Sequence, residues 1–274
     1  CHAMPQPSPS VLITGGAQRL GAALTRAFAA QGWRVFCHYQ RSGDAARALA
    51  GELRGQGAQV ELVQGDLRTA DGCGAVIEQV KAHTGELRCL VNNASLFEPD
   101  SATDIDPEGA RAQLQVNLMA PLELGAHMVR ELVPADAAEP ACIVHVLDQK
   151  VYNLNPDYFS YTISKLALER AVALQAQALA PRARVCGLAP GLIFTSGPQT
   201  DENFERARCA NLLRRPTAVE DVARACVFLA TTPGVNSATL CVDNGQHLVP
   251  LPRDIMFVVD ELLGPARAAE GRST

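Results

Sequence analysis

The sequence lacks three features that would each point to a particular class of protein. It has no excess of basic residues, since 24 Lys and Arg stand against 29 Asp and Glu, a formal net charge of −5. It has no apolar run long enough to span a bilayer, and no basic segment followed by an apolar run near its start. We therefore expect no nucleic-acid partner, no membrane partner and a cytoplasmic location.

Paired cysteines are also missing. The nine cysteines form no Cys-x-x-Cys pair and show no ligand-like spacing with histidine. Scattered thiols of this kind are typical of a reduced, cytosolic protein, so we expect no metal site. The 274 residues are 47% hydrophobic and 19% charged, which is an ordinary globular composition. That length suits one domain better than two, and the partner that we expect is a small-molecule substrate.

Short β-branched or apolar runs alternate with longer, Ala-rich amphipathic stretches along the chain. This alternation predicts a single Rossmann-type, doubly wound α/β domain with a seven-stranded parallel sheet flanked by helices. The predicted strands are Ser10–Thr14, Arg34–His38, Gln59–Gln64, Cys89–Asn92, Cys142–Leu147, Arg184–Leu188 and Thr239–Val242. The predicted helices are Gly21–Gln31, Ala45–Gly55, Ala70–Thr84, Ala110–Leu132, Tyr161–Leu179 and Val219–Ala230. We expect the domain to span residues 5–263, after a cloning remnant at 1–4 and before a flexible tail at 264–274.

A glycine-containing turn follows the first predicted strand. It runs Thr14-Gly15-Gly16-Ala17-Gln18-Arg19-Leu20-Gly21 and leads directly into a helical pattern. Glycines permit a tight turn and let a pyrophosphate approach the backbone, while the helix N-terminus offers free N–H groups to that anion. Because the turn lies between a strand and a helix, a dinucleotide site is favoured over an ordinary connection.

The end of the second predicted strand indicates which dinucleotide binds. An acidic residue there usually holds the ribose 2′-hydroxyl of NAD, whereas the 2′-phosphate of NADP needs cations and hydroxyl donors. The sequence His38-Tyr39-Gln40-Arg41-Ser42 contains no carboxylate before Asp44. We therefore predict NADP(H), with Arg41 and Ser42 at the phosphate, Arg19 nearby and Asp66-Leu67 at the adenine edge. The alternatives are that Arg41 is a solvated loop charge and that Asp66 only caps a helix.

Tyr161 and Lys165 lie four residues apart, and on a helix they would share one face. An ammonium beside a phenol favours the phenolate, so we expect Lys165 to lower the pKa of Tyr161 towards working pH. A Tyr-x-x-x-Lys pair alone is common on helix surfaces. Its combination with the turn at Thr14 indicates a catalytic pair.

Together these motifs resemble those of the classical short-chain dehydrogenase/reductase family over nearly the whole chain. The matching residues, in order, are Thr14 to Gly21, Asp66, Asn92-Asn93-Ala94, Asn117, Tyr161 with Lys165, Pro190-Gly191 and Asp243-Asn244-Gly245. The resemblance implies that Asn117 kinks its helix and holds a water near Lys165, and that the enzyme is a homotetramer. It also implies that the residues from Pro190 to Thr195 clasp the nicotinamide end. The predicted cofactor-binding residues are Gly15, Arg19, Leu20, Gly21, His38, Tyr39, Arg41, Ser42, Asp66, Leu67, Asn93, Ala94, Ser95, Lys165, Pro190, Gly191 and Leu192.

Three departures from the common family pattern narrow the resemblance to the pteridine and dihydromonapterin reductases. Arg19 replaces the first glycine of the usual Gly-x-Gly, Ser95 replaces the glycine of Asn-Ala-Gly, and Asp148 replaces the serine thirteen residues before Tyr161. In that group the residue equivalent to Asp148 works with the tyrosine in proton delivery. Its serine, here Ser95, contacts the pterin, and its phenylalanine, here Phe97, stacks on it. The predicted catalytic residues are Tyr161, Lys165, Asp148 and Asn117, and the predicted substrate residues are Ser95, Phe97, Asp148 and Tyr161.

The chemistry of these residues agrees with an NADPH-dependent reductase that acts on a pterin. Reduction of a ring C=N bond needs a proton at nitrogen, which Asp148 beside Tyr161 can relay. A flat heteroaromatic substrate also needs an aromatic face, which Phe97 offers. Two alternatives stay open: a carbonyl or 3-oxoacyl-type reductase that tolerates Asp148, and a non-catalytic NADP(H)-sensing protein on the same fold.

Overall fold

The computed structural model describes residues 8–195, 197 and 199–263, so the predictions for residues 1–4 and 264–274 lie outside the described residues. A seven-stranded sheet runs through it in the order β3-β2-β1-β4-β5-β6-β7. Every neighbouring pair of these strands is parallel. The strands are β1 (Ser10–Ile13), β2 (Arg34–Tyr39), β3 (Val60–Gln64), β4 (Cys89–Asn92), β5 (Ala141–Val146), β6 (Ala183–Pro190) and β7 (Thr239–Val242). The predicted fold class is confirmed.

Helices cover both faces of the sheet. Those on one face are α1 (Arg19–Ala30), α2 (Gly43–Gly55) and α8 (Val219–Thr231), and those on the other are α3 (Ala70–Lys81), α5 (Ala120–Glu131) and α6 (Phe159–Leu179). The remaining helices described are α4 (Pro107–Leu114), α7 (Asp201–Ala207) and α9 (Ile255–Leu263). None of the helices within the described ranges combines the length and apolar character needed to cross a bilayer.

Alternate residues of each central strand supply the two cores. In β1, Ile13 packs with the α1 and α8 side, whereas Leu12 packs with the α3 and α5 side. Val91 and Leu90 of β4 divide in the same way. Because a parallel strand with both faces covered needs apolar residues at every position, these strands appear in the sequence as continuous apolar runs.

The predicted helix over Ala110–Leu132 is helical from Pro107 to Glu131, but it is not one regular α-helix, and the interruption contains Asn117, the residue expected to kink it. The chain forms α4, then a π-helical turn at Gln115–Met119, then α5. Pro121 lies in the first turn of α5 and has no N–H to give to the carbonyl four residues earlier, so the regular ladder is interrupted there. Helix α4 begins early because the Asp106 carboxylate accepts hydrogen bonds from the backbone N–H groups of Glu108 and Gly109 at 3.1 and 3.0 Å.

Two helices described by the structure, α7 and α9, were not predicted. They pack on each other through a small apolar cluster that includes Ala207, Leu251, Ile255 and Val258. Helix α7 is only seven residues long, and its periodicity was therefore too short to recognise. The packing of α9 brings residues 251–256 back to the carboxyl ends of the strands.

Candidate active site

A cavity of about 960 Å³ lies at the carboxyl ends of the strands. Strand β1 has β2 on one side and β4 on the other, so the chain connections diverge at this edge, where open parallel sheets bind ligands. Every residue predicted to contact the cofactor or the substrate lines this cavity. Among the predicted catalytic residues, Asn117 does not line it.

The turn after β1 follows a path that favours glycine at two positions. Gly15 has a φ of +60°, which favours glycine, and its N–H donates to Nδ1 of His38 at 3.1 Å. At Gly21 an added Cβ would lie 1.9 Å from the carbonyl oxygen of Gly15. The turn therefore requires glycine at position 21 to keep its path.

Asn93 and Ala94 join this turn to the end of β4. The Thr14 hydroxyl accepts hydrogen bonds from the N–H groups of Asn93 and Ala94 at 2.9 and 3.0 Å. The Asn93 amide donates in return to the carbonyl oxygens of Thr14 and Gly15 at 2.9 and 3.1 Å. These two residues thus fix the floor of the cavity, where they were predicted to meet the cofactor.

His38 is neutral in this structure. Burial lowers its pKa to about 4, which leaves it uncharged at neutral pH. Because Nδ1 accepts from Gly15, the proton lies on Nε2, which donates to the carbonyl oxygen of Gly65 at 3.2 Å. His38 therefore connects the turn after β1 to the end of β3 and adds no positive charge for a phosphate.

Arg41 is the exposed cation at the same end of the cavity. Within the described part of the chain its guanidinium has no hydrogen-bond or ion-pair partner, and it lies beside Ser42. Asp66, by contrast, is paired with Arg68 at 2.7 Å, and this pairing lowers the pKa of its carboxyl to about 2. The negative charge of Asp66 is thus balanced by Arg68, whereas the positive charge of Arg41 is available to an anion.

Tyr161 and Asp148 are in direct contact. The Tyr161 hydroxyl donates to Oδ2 of Asp148 at 2.8 Å, and the backbone N–H of Lys150 donates to Oδ1 at 2.8 Å. Lys165, one helical turn after Tyr161, is buried and donates from Nζ to the carbonyl oxygen of Val146 at 2.8 Å. The end of β5 and the start of α6 thereby place a phenol, a carboxyl and an ammonium at one side of the cavity.

The expectation that Lys165 lowers the pKa of Tyr161 is wrong for this structure. Burial raises the pKa of Tyr161 well above its usual value, and the neighbouring Asp148 raises it further. The Lys165 ammonium is 5.8 Å from the centre of the Tyr161 ring and donates its hydrogen bond to the Val146 carbonyl oxygen instead. Burial also raises the pKa of Asp148 and lowers that of Lys165 to about 8. Tyr161 is therefore a phenol that shares its proton with a carboxyl of raised pKa.

Asn117 lies in the π-helical turn and is fully buried. Its amide group donates to the carbonyl oxygen of Leu96 at 2.8 Å and to the Ser164 hydroxyl at 3.0 Å. Its oxygen accepts from the N–H of Leu96 at 2.8 Å and from the Ser95 hydroxyl at 3.1 Å. Asn117 thus holds the segment after β4 against α6, and its water-holding role stays a prediction.

Phe97 belongs to an aromatic cluster at the substrate end. Its ring stacks on Tyr158 with centroids 4.0 Å apart and meets the edge of Tyr161 at 4.6 Å. Tyr158 precedes α6 with a φ of +55° and was not predicted at the site. The sequence could have indicated Tyr158, because it stands three residues before Tyr161 at the start of the same helix. The cluster fixes the Phe97 ring at the wall of the cavity.

Three residues that were not predicted, Lys150, Gln246 and Asp254, also line the cavity. Oε1 of Gln246 accepts from the N–H of Leu192 at 2.8 Å and so holds the segment after β6. Arg19 bridges to this segment by donating to the carbonyl oxygen of Thr195 and by lying over the Phe194 ring at 5.1 Å. No sequence pattern marked Asp254 as a site residue, because its position depends on the packing of α9.

Known proteins resemble this chain over most of its length. It is 29% identical over 245 residues to a dihydromonapterin reductase of Citrobacter koseri, covering 89% of this chain and 98% of that protein. It is 37% identical to FolM alternative dihydrofolate reductase 1 of Brucella canis, solved with NADP (TM-score 0.81, 88% and 94% covered). The same protein of Brucella suis, also solved with NADP, gives 37% identity (TM-score 0.83, 88% and 96% covered). The family described as short chain dehydrogenase matches residues 9–205. The chain therefore belongs to the short chain dehydrogenase family.

Proposed function

We propose that this protein is an NADPH-dependent reductase of dihydropterins. The observation that carries the proposal is the 2.8 Å hydrogen bond between Tyr161 and Asp148, which places a carboxyl of raised pKa where a ketone reductase has a neutral hydroxyl. The names of the similar proteins, a dihydromonapterin reductase and an alternative dihydrofolate reductase, support the same substrate class.

The residues present fit a dinucleotide. Gly15 and Gly21 line the cavity, and the first turn of α1 supplies N–H groups for a pyrophosphate. Arg41 and Ser42 would hold a 2′-phosphate, and Lys165 and Leu192 would lie near the nicotinamide end. NADPH, when bound, supplies a hydride.

The chain itself supplies the proton. Because the pKa of Asp148 is raised, its carboxyl holds a proton at a higher pH than an ordinary aspartate does. That proton can pass along the 2.8 Å hydrogen bond as the Tyr161 hydroxyl gives its own to a ring nitrogen. Lys150 and Lys165 contribute positive charges that stabilise the carboxylate left behind. Phe97 supplies a flat apolar wall for the substrate ring.

Arg41→Ala should weaken NADPH binding by about tenfold or more and leave NADH binding almost unchanged, because a charge-assisted contact to the 2′-phosphate is lost. Fluorescence titration of both cofactors measures this. Arg47→Ala is a matched control, since that exposed arginine is already paired with Asp44 at 2.5 Å. Equal losses for NADH and NADPH would contradict the predicted role of Arg41.

Asp148→Ser restores the residue that is usual in ketone-reducing relatives. We expect reduction of a dihydropterin to fall by about 10²-fold and reduction of an accepted ketone to change much less. Serine beside the tyrosine suffices for proton donation to a ketone oxygen in those relatives, whereas the proposed donation to a ring nitrogen uses the carboxyl proton. In wild type the dihydropterin rate should fall as the pH rises and Asp148 loses its proton, and this limb should vanish in the variant.

Steady-state rates on one dihydropterin and one activated ketone, measured across pH, decide between the candidate functions. Reduction of ketones but of no pterin by wild type would leave the carbonyl-reductase alternative. Turnover of neither substrate would favour the NADP(H)-sensing alternative.

The homotetramer and the cytoplasmic location stay predictions. Exposed apolar side chains at Ile163 and Leu174 of α6 support an assembly through that helix, since these residues are 42% and 67% exposed.

A further inference from the structure

The substrate end of the cavity is walled by a segment that lies far along the chain from the catalytic residues. Leu251, Asp254, Ile255 and Met256 line it, next to Lys150. They immediately precede or begin α9, whose packing on α7 holds them in place. The proposed proton transfer through Tyr161 and Asp148 does not use Asp254, and Nζ of Lys150 is hydrogen-bonded to Asn155 and Asp254 rather than to Tyr161 or Asp148.

The Asp254 carboxylate is held from inside the protein. Its Oδ2 lies 3.4 Å from Nζ of Lys150, and its Oδ1 accepts from the N–H of Met256 at 3.2 Å. Lys150 is 3% exposed. It donates to Oδ1 of Asn155 at 2.6 Å and lies 5.5 Å from the centre of the Tyr158 ring. A buried ammonium thus ties Asp254 to the residues around the aromatic cluster.

A second ion pair holds the same segment from outside. Arg253 donates to both carboxylate oxygens of Asp157 at 2.9 Å, and the N–H of Asp254 donates to the same carboxylate at 2.7 Å. Arg253 does not line the cavity, and its side chain is 51% exposed. The pair therefore fixes the position of Asp254 without touching a ligand.

The Asp254 carboxylate can accept further hydrogen bonds. A carboxylate offers about four lone-pair sites, and the two contacts made here are long. The side chain is 17% exposed and faces the cavity as part of its lining. Its charge also contributes to the raised pKa of Tyr161, after burial and Asp148, so it acts within electrostatic range of the reacting hydroxyl.

We propose that Asp254 is a specificity-determining residue that accepts N–H hydrogen bonds from the amino-substituted ring of the substrate, and that Lys150 and the Asp157–Arg253 pair hold it there. The inference rests on the proposed function. An aminopyrimidinone ring presents neighbouring N–H donors that match a carboxylate, whereas a simple ketone presents none. A polar site of this kind discriminates strongly, since a substrate without the matching group leaves the largely desolvated carboxylate short of hydrogen bonds.

The test pairs one protein change with one substrate change. Wild type and Asp254→Asn are assayed with 7,8-dihydropterin and with 7,8-dihydrolumazine, which has an oxo group in place of the 2-amino group. We expect wild type to prefer the dihydropterin in kcat/KM. In the variant the KM for dihydropterin should rise about tenfold with kcat nearly constant, and the preference should shrink towards one. NADPH affinity, measured by fluorescence, should not change.

Arg253→Gln keeps the inference testable if Asp254→Asn does not fold. It removes only the outer pair and should reduce the same preference by about threefold. An unchanged preference in the folded variants, or an equal loss on both pteridines, would overturn the role of Asp254 while leaving the reductase intact. If wild type reduces neither pteridine, the proposed function itself fails and the inference falls with it.

Discussion

Tyr161→Phe should lower kcat for a dihydropterin by about 10²- to 10⁴-fold, the usual contribution of a positioned general acid. The change removes the hydroxyl that donates to Asp148 at 2.8 Å and keeps the ring that meets Phe97 at 4.6 Å. Packing at the substrate end is therefore preserved while the proton path is cut. NADPH affinity should change little, because a phenol hydroxyl is not needed to hold the dinucleotide.

Tyr152→Phe is the matched control for this substitution. Its hydroxyl donates to Glu169 at 3.2 Å, its side chain is 42% exposed, and it does not line the cavity. Single-turnover rates with saturating NADPH separate chemistry from binding for both variants. If Tyr161→Phe kept near-normal turnover, the proton would have to reach the substrate from Asp148 without the phenol.

Gly21→Ala should raise the Kd for NADPH by about 10²-fold and lower the free energy of unfolding by roughly 2 kcal/mol. The new Cβ would lie 1.9 Å from the Gly15 carbonyl oxygen and 2.9 Å from the Asn93 amide nitrogen, so the turn and its tie to β4 must both move. Titration with NADPH and urea unfolding followed by circular dichroism measure the two effects.

Gly51→Ala serves as its control within another helix. Nothing lies within 4 Å of a Cβ added at Gly51 in the middle of α2, so the substitution should stabilise the protein by about 0.5–1 kcal/mol and leave cofactor binding unchanged. NADPH binding by Gly21→Ala as tight as that of wild type would refute the role assigned to the turn.

The local sequence pattern was sufficient to predict the sheet and the turn after β1. Buried parallel strands such as β4 must be apolar throughout, and the glycine turn depends on steric limits within eight residues. The spacing of Tyr161 and Lys165 fixed their shared side of α6, but not the direction of the Tyr161 pKa shift. That direction depends on burial and on a contact with Asp148, both of which arise only from folding.

The parts that sequence did not predict depend on long-range packing. Apolar periodicity conceals the π-helical turn at Asn117, since the same stripe of apolar residues continues on both sides of it, and only the family resemblance indicated an irregularity there. Asp254 meets Lys150 across 104 residues, and no local pattern in the segment before α9 signals this contact.

Because folding keeps His38 neutral, acidic pH should affect both the stability of the protein and the turn after β1. Its pKa falls from 6.5 to about 4 on folding, so an unfolded chain takes up a proton between these values that the folded chain excludes. Stability from this group is complete above pH 6.5 and is lost as the pH falls towards 4, at up to about 1.4 kcal/mol for each pH unit. Protonation would also remove the acceptor of the Gly15 N–H. Acidification should therefore weaken the contact between the turn after β1 and His38, and a loss of cofactor affinity at low pH would report this proton uptake.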